Sequence, residues 1–371
     1  MRELPVDSSY LVEILRALLD IPSPAGMTDE AVAFVCRELT QLDIPFELTR
    51  RGAIRADLKG VQSSPDRAII SHVDTIGAMI KSFRANGRPE VVPIGTWSAR
   101  FAEGARVTLF TDGGKRLRGT LLPLKASGHV YHDEVDQQAT SWPNLELRLD
   151  ARVHSEAELH DLGVNIGDII AIDPNPEITS NGFINSRHLD DKAGVAAVLA
   201  AAKTISESDV ELPMDCHLLF TISEEVGVGA SHVLHGDVAE LVSIDNGTIA
   251  PGQNTSEYGV TVAMQDSSGP FDWHLTRSLI ELCEQSSIEH SRDVFRYYRS
   301  DAAAALEAGN DIRTALLCFA LDSSHGYERT HIDSLTALSR LLALYMQNRP
   351  LFERDTKALG PVGDLLKEDA G

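Results

Sequence analysis

The sequence predicts an α/β fold: a mostly parallel central sheet flanked by helices, interrupted by an inserted β-barrel-like domain. Three observations lead there. Helical periodicities alternate with short apolar strands early in the chain, and the alternation resumes after Asn185. Between Arg84 and Asp173 it stops, and glycine, proline and short alternating pieces take over. With 371 residues there is material for two domains, so an α/β unit opens, pauses for a β-rich insert and resumes. The expected boundaries are 1–80 with 175–350 for the α/β unit, 81–174 for the insert, and 351–371 for a loosely attached C-terminal extension.

Each element has a local reason. Ser8 or Ser9 can cap a first helix in which Leu11, Ile14, Leu15, Leu18 and Leu19 form one apolar stripe. IPSPAG breaks it, and a second helix is expected from Thr28 to Leu42. Short strands follow around FELTR, AIRADL and RAIISHV. RVTLF, GTLLPL, LELRLDARV and GDIIAI read as the strands of the insert, with no helix beyond two or three turns. Beyond it, HLDDKAGVAAVLAAAKTI reads as helix, CHLLFTI and ELVSI as strands, and FDWHLTRSLIELCEQ as helix. A strand DVFRYY, a helix DAAAALEAG, a strand TALLCFAL and a helix from Ile332 to about Met346 complete the pattern.

Composition narrows the function. Lys and Arg number 33 against 55 Asp and Glu, a formal charge of −22, which repels phosphate backbones and anionic lipid and disfavours nucleic acid and membrane as partners. The same surface attracts cations, including the amino terminus of a peptide. Cys36, Cys216, Cys283 and Cys318 lie far apart among apolar residues and read as buried thiols in a reducing compartment. The N-terminus reads as an amphipathic helix rather than a secretory signal, and no apolar stretch reaches a bilayer's thickness. A cytoplasmic protein is expected.

Ionisable residues stand where apolar runs end. RAIISHVD supplies His72 and Asp74, LDDKAG supplies Asp190 and Asp191, and TISEEVG supplies Glu224 and Glu225. ELVSIDNG adds Asp245, and ALDSSHGYE adds His325. Each has an ordinary explanation alone: a strand reaching the surface, a helix N-cap, a solvated turn. Carboxyl ends of parallel strands line one edge of a sheet, however, so five segments aim acid or imidazole groups at one region. So many carboxylates cannot crowd together as bare anions. One or two divalent cations would relieve that repulsion, and two imidazoles among carboxylates suit zinc or a neighbouring transition metal better than calcium or magnesium.

The ordered set HVD, LDDKAG, SEEVGVGAS, SIDNG and SSHGYE resembles the di-metal aminopeptidases. Within them it is similar to the glutamyl and tetrahedral aminopeptidase family, which includes proteins described as cellulase-like or endoglucanase-like. The resemblance covers about residues 8 to 347. Acylases and carboxypeptidases share Asp-Asp-Lys and Glu-Glu but place the aspartates a few dozen residues after His-x-Asp. Here more than a hundred residues intervene, filled by the β-rich segment, and GVNIGD resembles the family's return from its insert.

The resemblance implies two divalent metal ions per subunit, zinc or cobalt. His72 and Asp245 would hold one, Glu225 and His325 the other, with Asp190 bridging and Glu224 as general base. Asp74 would accept a proton from the His72 ring and orient it. The family has an unusual peptide bond after its bridging aspartate, expected here at Asp190–Asp191. The activity implied is aminopeptidase action on peptides, in a homo-oligomer of dimers reaching twelve subunits, with the insert serving dimerisation or as a lid. Lys192 stands where the family has arginine, Ala320–His325 replaces Pro-x-Arg-Tyr-x-His, and Arg299-Ser300-Asp301 replaces Gly-Thr-Asp. The chain is also similar to a divergent subgroup associated with small-peptide osmolyte metabolism. Two alternatives stand beside the aminopeptidase: a di-metal deacylase or amidase acting on a small blocked molecule, and a non-catalytic scaffold. His188, His232, His235 and His331 are expected to be supporting or surface groups.

Overall fold

The computed structural model describes residues 1–352 and Asp355, so the expected extension at 351–371 lies almost wholly outside the described residues. Among these, a nine-stranded mixed sheet forms the centre. Its four inner strands, Leu212–Thr221, Gly60–His72, Val238–Thr248 and Arg313–Leu321, lie side by side in that order and run parallel. Ile54–Leu58 on one flank and Val260–Asp266 on the other run antiparallel to them. Buried on both faces, the inner strands read as near-continuous apolar runs, such as the ALLCFAL stretch of Arg313–Leu321.

Gly60–His72 is the strand where connectivity diverges. The next inner strand in sequence, Leu212–Thr221, pairs on one side of it, and the one after, Val238–Thr248, on the other. A crevice therefore opens at its carboxyl end, where ligands bind in open α/β sheets. Successive side chains there point to opposite faces. Ser71 points to the face covered by helix Leu189–Ser206, where its hydroxyl meets Asp191. Thr221, in register with His72, meets Asp301 at the start of helix Asp301–Glu307 on the other face.

Helix Leu189–Ser206 packs between Ser8–Leu19 and Ile332–Met346 and is buried from Leu189 through Ala202. Its alanine-rich sequence follows from that: small side chains let helices close in from several sides while helix propensity stays high. Helix Ser8–Leu19 is capped by Asp7, whose carboxylate accepts Tyr10 N–H at 3.0 Å, rather than by Ser8 or Ser9. A carboxylate there also complements the helix dipole.

The second unit is a six-stranded antiparallel sheet of Glu90–Ile94, Gly77–Ser82, Ile169–Ile172, Arg106–Phe110, Arg116–Pro123 and Leu145–Leu149, in that spatial order. Leu147 N–H donates to Pro89 O at 3.0 Å, bringing its two ends together into a nearly closed barrel. It has its own core around Ile80, Val107, Leu109, Leu121, Leu147 and Ile170. Its strand Gly77–Ser82 begins only five residues after His72. Two expected boundaries move. Asp245 lies within Val238–Thr248, not after it, because pairing with Arg313–Leu321 continues to Thr248. The expected strand DVFRYY ends at Val294, where Phe295 N–H turns to Gln265 O and the chain departs toward the crevice.

Candidate active site

The crevice collects His72, Asp74, Asp190, Glu224, Glu225, Asp245 and His325. His72 closes its strand, and Val73 N–H donates to Thr221 O, so the neighbouring strands leave the sheet together. Glu224 and Glu225 follow three and four residues after Thr221, Asp190 opens the long helix, and His325 comes from the loop after Arg313–Leu321. The Asp190–Asp191 peptide is cis. His188 and His325 both hold left-handed backbone, at φ of 66° and 64°, conformations that cost energy in non-glycine residues and cluster at functional sites.

Both histidines have their tautomer fixed by the backbone. His72 Nδ1 donates to the carbonyl of Asp74 at 2.9 Å, and His325 Nδ1 to the carbonyl of Thr96 at 2.9 Å. In the neutral ring each Nε2 then offers a lone pair. His72 Nε2 lies 3.3 Å from Asp190 Oδ1, and His325 Nε2 lies 3.4 Å from Asp190 Oδ2 and 3.4 Å from Glu225 Oε2. Asp190 thus shows one oxygen to each imidazole. One atom each from His72, Glu224 and Asp245, and likewise from Asp190, Glu225 and His325, gather within 4.8 Å of one another.

This donor set fits divalent metal. His72 Nε2 and Glu225 Oε1 are buried without a hydrogen-bond partner among the described residues. Lone pairs facing carboxylates need a cation between them. The electrostatics agree. Burial, reinforced by Asp245, Asp301 and Glu225, holds the Glu224 carboxyl well above the usual carboxylate range. Burial and then Asp190 and Asp191 do the same to Asp245, and burial with Asp190 raises Glu225 to about 7. Against the penalty of burial, Glu225 and Asp190 push the His325 imidazole up to about 10. Protons shared in this way are what a bound cation displaces.

The Asp74 contact differs from expectation. His72 Nδ1 bonds the Asp74 backbone carbonyl, while the Asp74 carboxylate sits 3.7 Å from that nitrogen. That carboxylate instead accepts the N–H groups of Glu224 and Glu225. Asp74 lies against the turn that begins at Glu224, so its oxygens meet that turn's unpaired backbone donors first.

Other polar residues of the same segments support these groups. Asp191 accepts Ser71 Oγ and His72 N–H. Asn246 donates to Asp190 Oδ2 at 2.8 Å and Asp245 Oδ1 at 3.0 Å. Glu328 accepts Leu189 N–H, Asp190 N–H and His325 N–H, and burial with Asp190 raises it to about 8. Their signal was position: polar residues beside a ligand in an apolar stretch. His188 donates to Ile172 O and His331 to Asn181 O, and His232 is exposed, so all three lie outside the ligand set. The crevice continues into a cavity of about 670 Å³ whose walls include Thr96 from the barrel, Tyr297, Tyr298 and Arg299.

Paired carboxylates and two imidazoles brought together at the switch point of a parallel sheet suit metal-assisted hydrolysis. The family model for M42 glutamyl aminopeptidases matches residues 52–341. The chain belongs to that family. Bacillus subtilis YhfE is 38% identical over 337 residues, covering 91% of this chain and 97% of its own length. The glutamyl aminopeptidase of Lactococcus lactis is 25% identical over 228 residues, 60% of this chain and 62% of that protein. Among solved structures, an aminopeptidase of the archaeon Desulfurococcus kamchatkensis superposes with a TM-score of 0.82 at 22% identity, covering 92% and 95% of the two chains. The Pyrococcus horikoshii TET1 peptidase, described as assembling into a tetrahedron or a large octahedral shell, gives 0.77 at 23% identity over 91% and 99%. Among the described residues no helix is long and apolar enough to cross a membrane.

Proposed function

We propose that the protein removes N-terminal residues from peptides with Glu224 as general base. The observation that carries this is the pair of lone-pair nitrogens facing opposite oxygens of Asp190. His72 and Asp245 would hold one divalent ion and Glu225 and His325 the other, with Asp190 shared. The N- and O-donor set favours zinc, with cobalt as a functional substitute. Bound there, the metals would lower the pKa of a water and stabilise developing negative charge on the substrate carbonyl oxygen.

The chain's own residues do the rest. Glu224, 3.8 Å from His72 Nε2, is close enough to reach the same ion but is proposed as the base, taking the proton of the attacking water and returning it to the leaving amine. Its buried, anion-rich surroundings raise its proton affinity toward that task. Asp74 fixes the backbone of both glutamates, and Thr96 fixes the His325 ring. The acidic wall formed by Asp190, Glu224, Glu225 and Asp245 suits a substrate ammonium group.

Residues 81–174 are proposed as a unit that walls the site and serves dimerisation or as a lid, and light scattering should give a dimer or a twelve-subunit mass. Four free thiols support a reducing, cytoplasmic setting. Competing assays on a free-amine peptide and its N-acetylated twin test the reading. Release of the first residue from the free-amine peptide alone is expected; cleavage of the blocked twin alone would replace the aminopeptidase with a deacylase.

A further inference from the structure

A second group of potential ligands lies on the same sheet, away from the crevice. Asp57 on Ile54–Leu58 stands directly across from His217 on Leu212–Thr221. His217 is four residues, about 13 Å, before the crevice end of its strand. The loop leading from the 3-10 turn Gly229–His232 to Val238 folds over this face and brings His235 against both, with the two imidazole centroids 4.1 Å apart. Asp57 Oδ1 is 2.7 Å from His217 Nδ1 and 3.1 Å from His235 Nε2.

We propose that Asp57, His217 and His235 form a third divalent-cation site, with the nitrogen-rich donor set that takes Zn²⁺ or Co²⁺. One ligand atom from each of the three already lies within 4.8 Å of the others. The proton inventory argues for an ion. If His217 Nδ1 donates to Asp57, its Nε2 lone pair faces the buried Asp66 carboxylate, 3.2 Å away, and that nitrogen has no hydrogen-bond partner among the described residues. An ion on Nδ1 moves the proton to Nε2, on the side of the ring that faces the Asp66 carboxylate. This is the carboxylate–histidine–metal arrangement that orients ligands in protein metal sites. His217 is almost fully buried while Asp57 and His235 are partly exposed, leaving a side for water to complete the coordination.

The loop is built to hold His235 in place. Arg55 donates to the carbonyls of His232, Val233 and Leu234, the three residues before it. Gly236 follows at φ 70°, and a Cβ there would lie 2.3 Å from Asp66 Oδ2, so only glycine lets the backbone close over the cluster. The ion would tie the flank strand, an inner strand and the loop downstream of Glu225 together.

The test is a count of ions. Chelator-stripped protein is equilibrated with Zn²⁺ at fixed free concentration, and bound metal is measured for the wild type, His235→Ala and Asp57→Asn. The wild type should hold one equivalent more than either variant, with folding by circular dichroism and hydrolysis of a free-amine peptide unchanged. That difference does not depend on how many ions the crevice holds. Equal stoichiometry in all three overturns the site and leaves a hydrogen-bonded imidazole pair. A check without variants is anomalous diffraction at the zinc edge from zinc-loaded wild-type crystals: a peak among Asp57, His217 and His235 supports the site, and no peak there overturns it.

Discussion

The Asp74 carboxylate accepts the backbone N–H of Glu224 at 3.1 Å, so a side chain from one strand end sets the position of a carboxylate from the next. Its second oxygen holds Glu225 N–H at 3.2 Å, and its own carbonyl holds the His72 ring. Asp74→Ala removes the two carboxylate contacts and keeps the carbonyl that holds His72, so it should loosen Glu224 and Glu225 together, lowering both kcat and metal affinity by about 10–100-fold. Asp74→Asn keeps one acceptor oxygen and should fall between. Metal titration beside steady-state kinetics checks this; loss of kcat with unchanged metal affinity would rule out the coupling.

Glu224→Gln retains shape but cannot accept a proton. Turnover should fall by about 10²–10⁴-fold while bound metal stays at the wild-type count. Full activity in this variant would reassign the base.

Removal of metal by a chelator should abolish hydrolysis and lower the melting temperature, because the buried carboxylates of Asp190, Glu225 and Asp245 would lose the cation that offsets their crowding. Adding Zn²⁺ or Co²⁺ back should restore both. A chelated enzyme with unaltered activity would contradict the proposed chemistry.

Lys192 is fully buried, and its ammonium donates to the carbonyls of Leu18 at 2.9 Å and Ile21 at 2.6 Å. Burial pulls its pKa down to about 7. Between that value and the usual lysine range the unfolded chain keeps a proton that the folded chain releases, so this group makes stability rise with pH across that window and contributes no further change below it. The total is on the order of 4–5 kcal/mol. Lys192→Met removes the dependence. Urea unfolding at pH 7 and pH 9 should show the variant's stability relative to wild type dropping by about 2–3 kcal/mol between the two. A constant difference would show that the lysine keeps its charge.

Much of this was legible in the residues themselves. A histidine and an aspartate ending RAIISHVD are anomalous in an apolar run, and four later segments repeat the anomaly, because groups able to hold a metal have to stand where buried strands reach the crevice. The alternation of helix and strand, and its suspension between Arg84 and Asp173, come from local periodicity, which is a property of neighbouring residues. DVFRYY shows the limit: its composition is that of a strand, yet Tyr298 is taken to the site, where its hydroxyl donates to Asn246 O.

Contacts between distant segments belong to the tertiary structure alone. Nothing near His72 in sequence says that its proton goes to a carbonyl two residues on, or that His325 gives its own to Thr96, 229 residues earlier. Nor does AIRADL announce that Asp57 will face His217 and His235. The sequence by itself determined which residues could serve as ligands and which elements carry them, since side-chain chemistry and periodicity are local. Only the packing of strands and loops decided which lone pairs meet, because hydrogen-bond and coordination geometry is set to within an ångström by groups that have no neighbourhood until the chain folds.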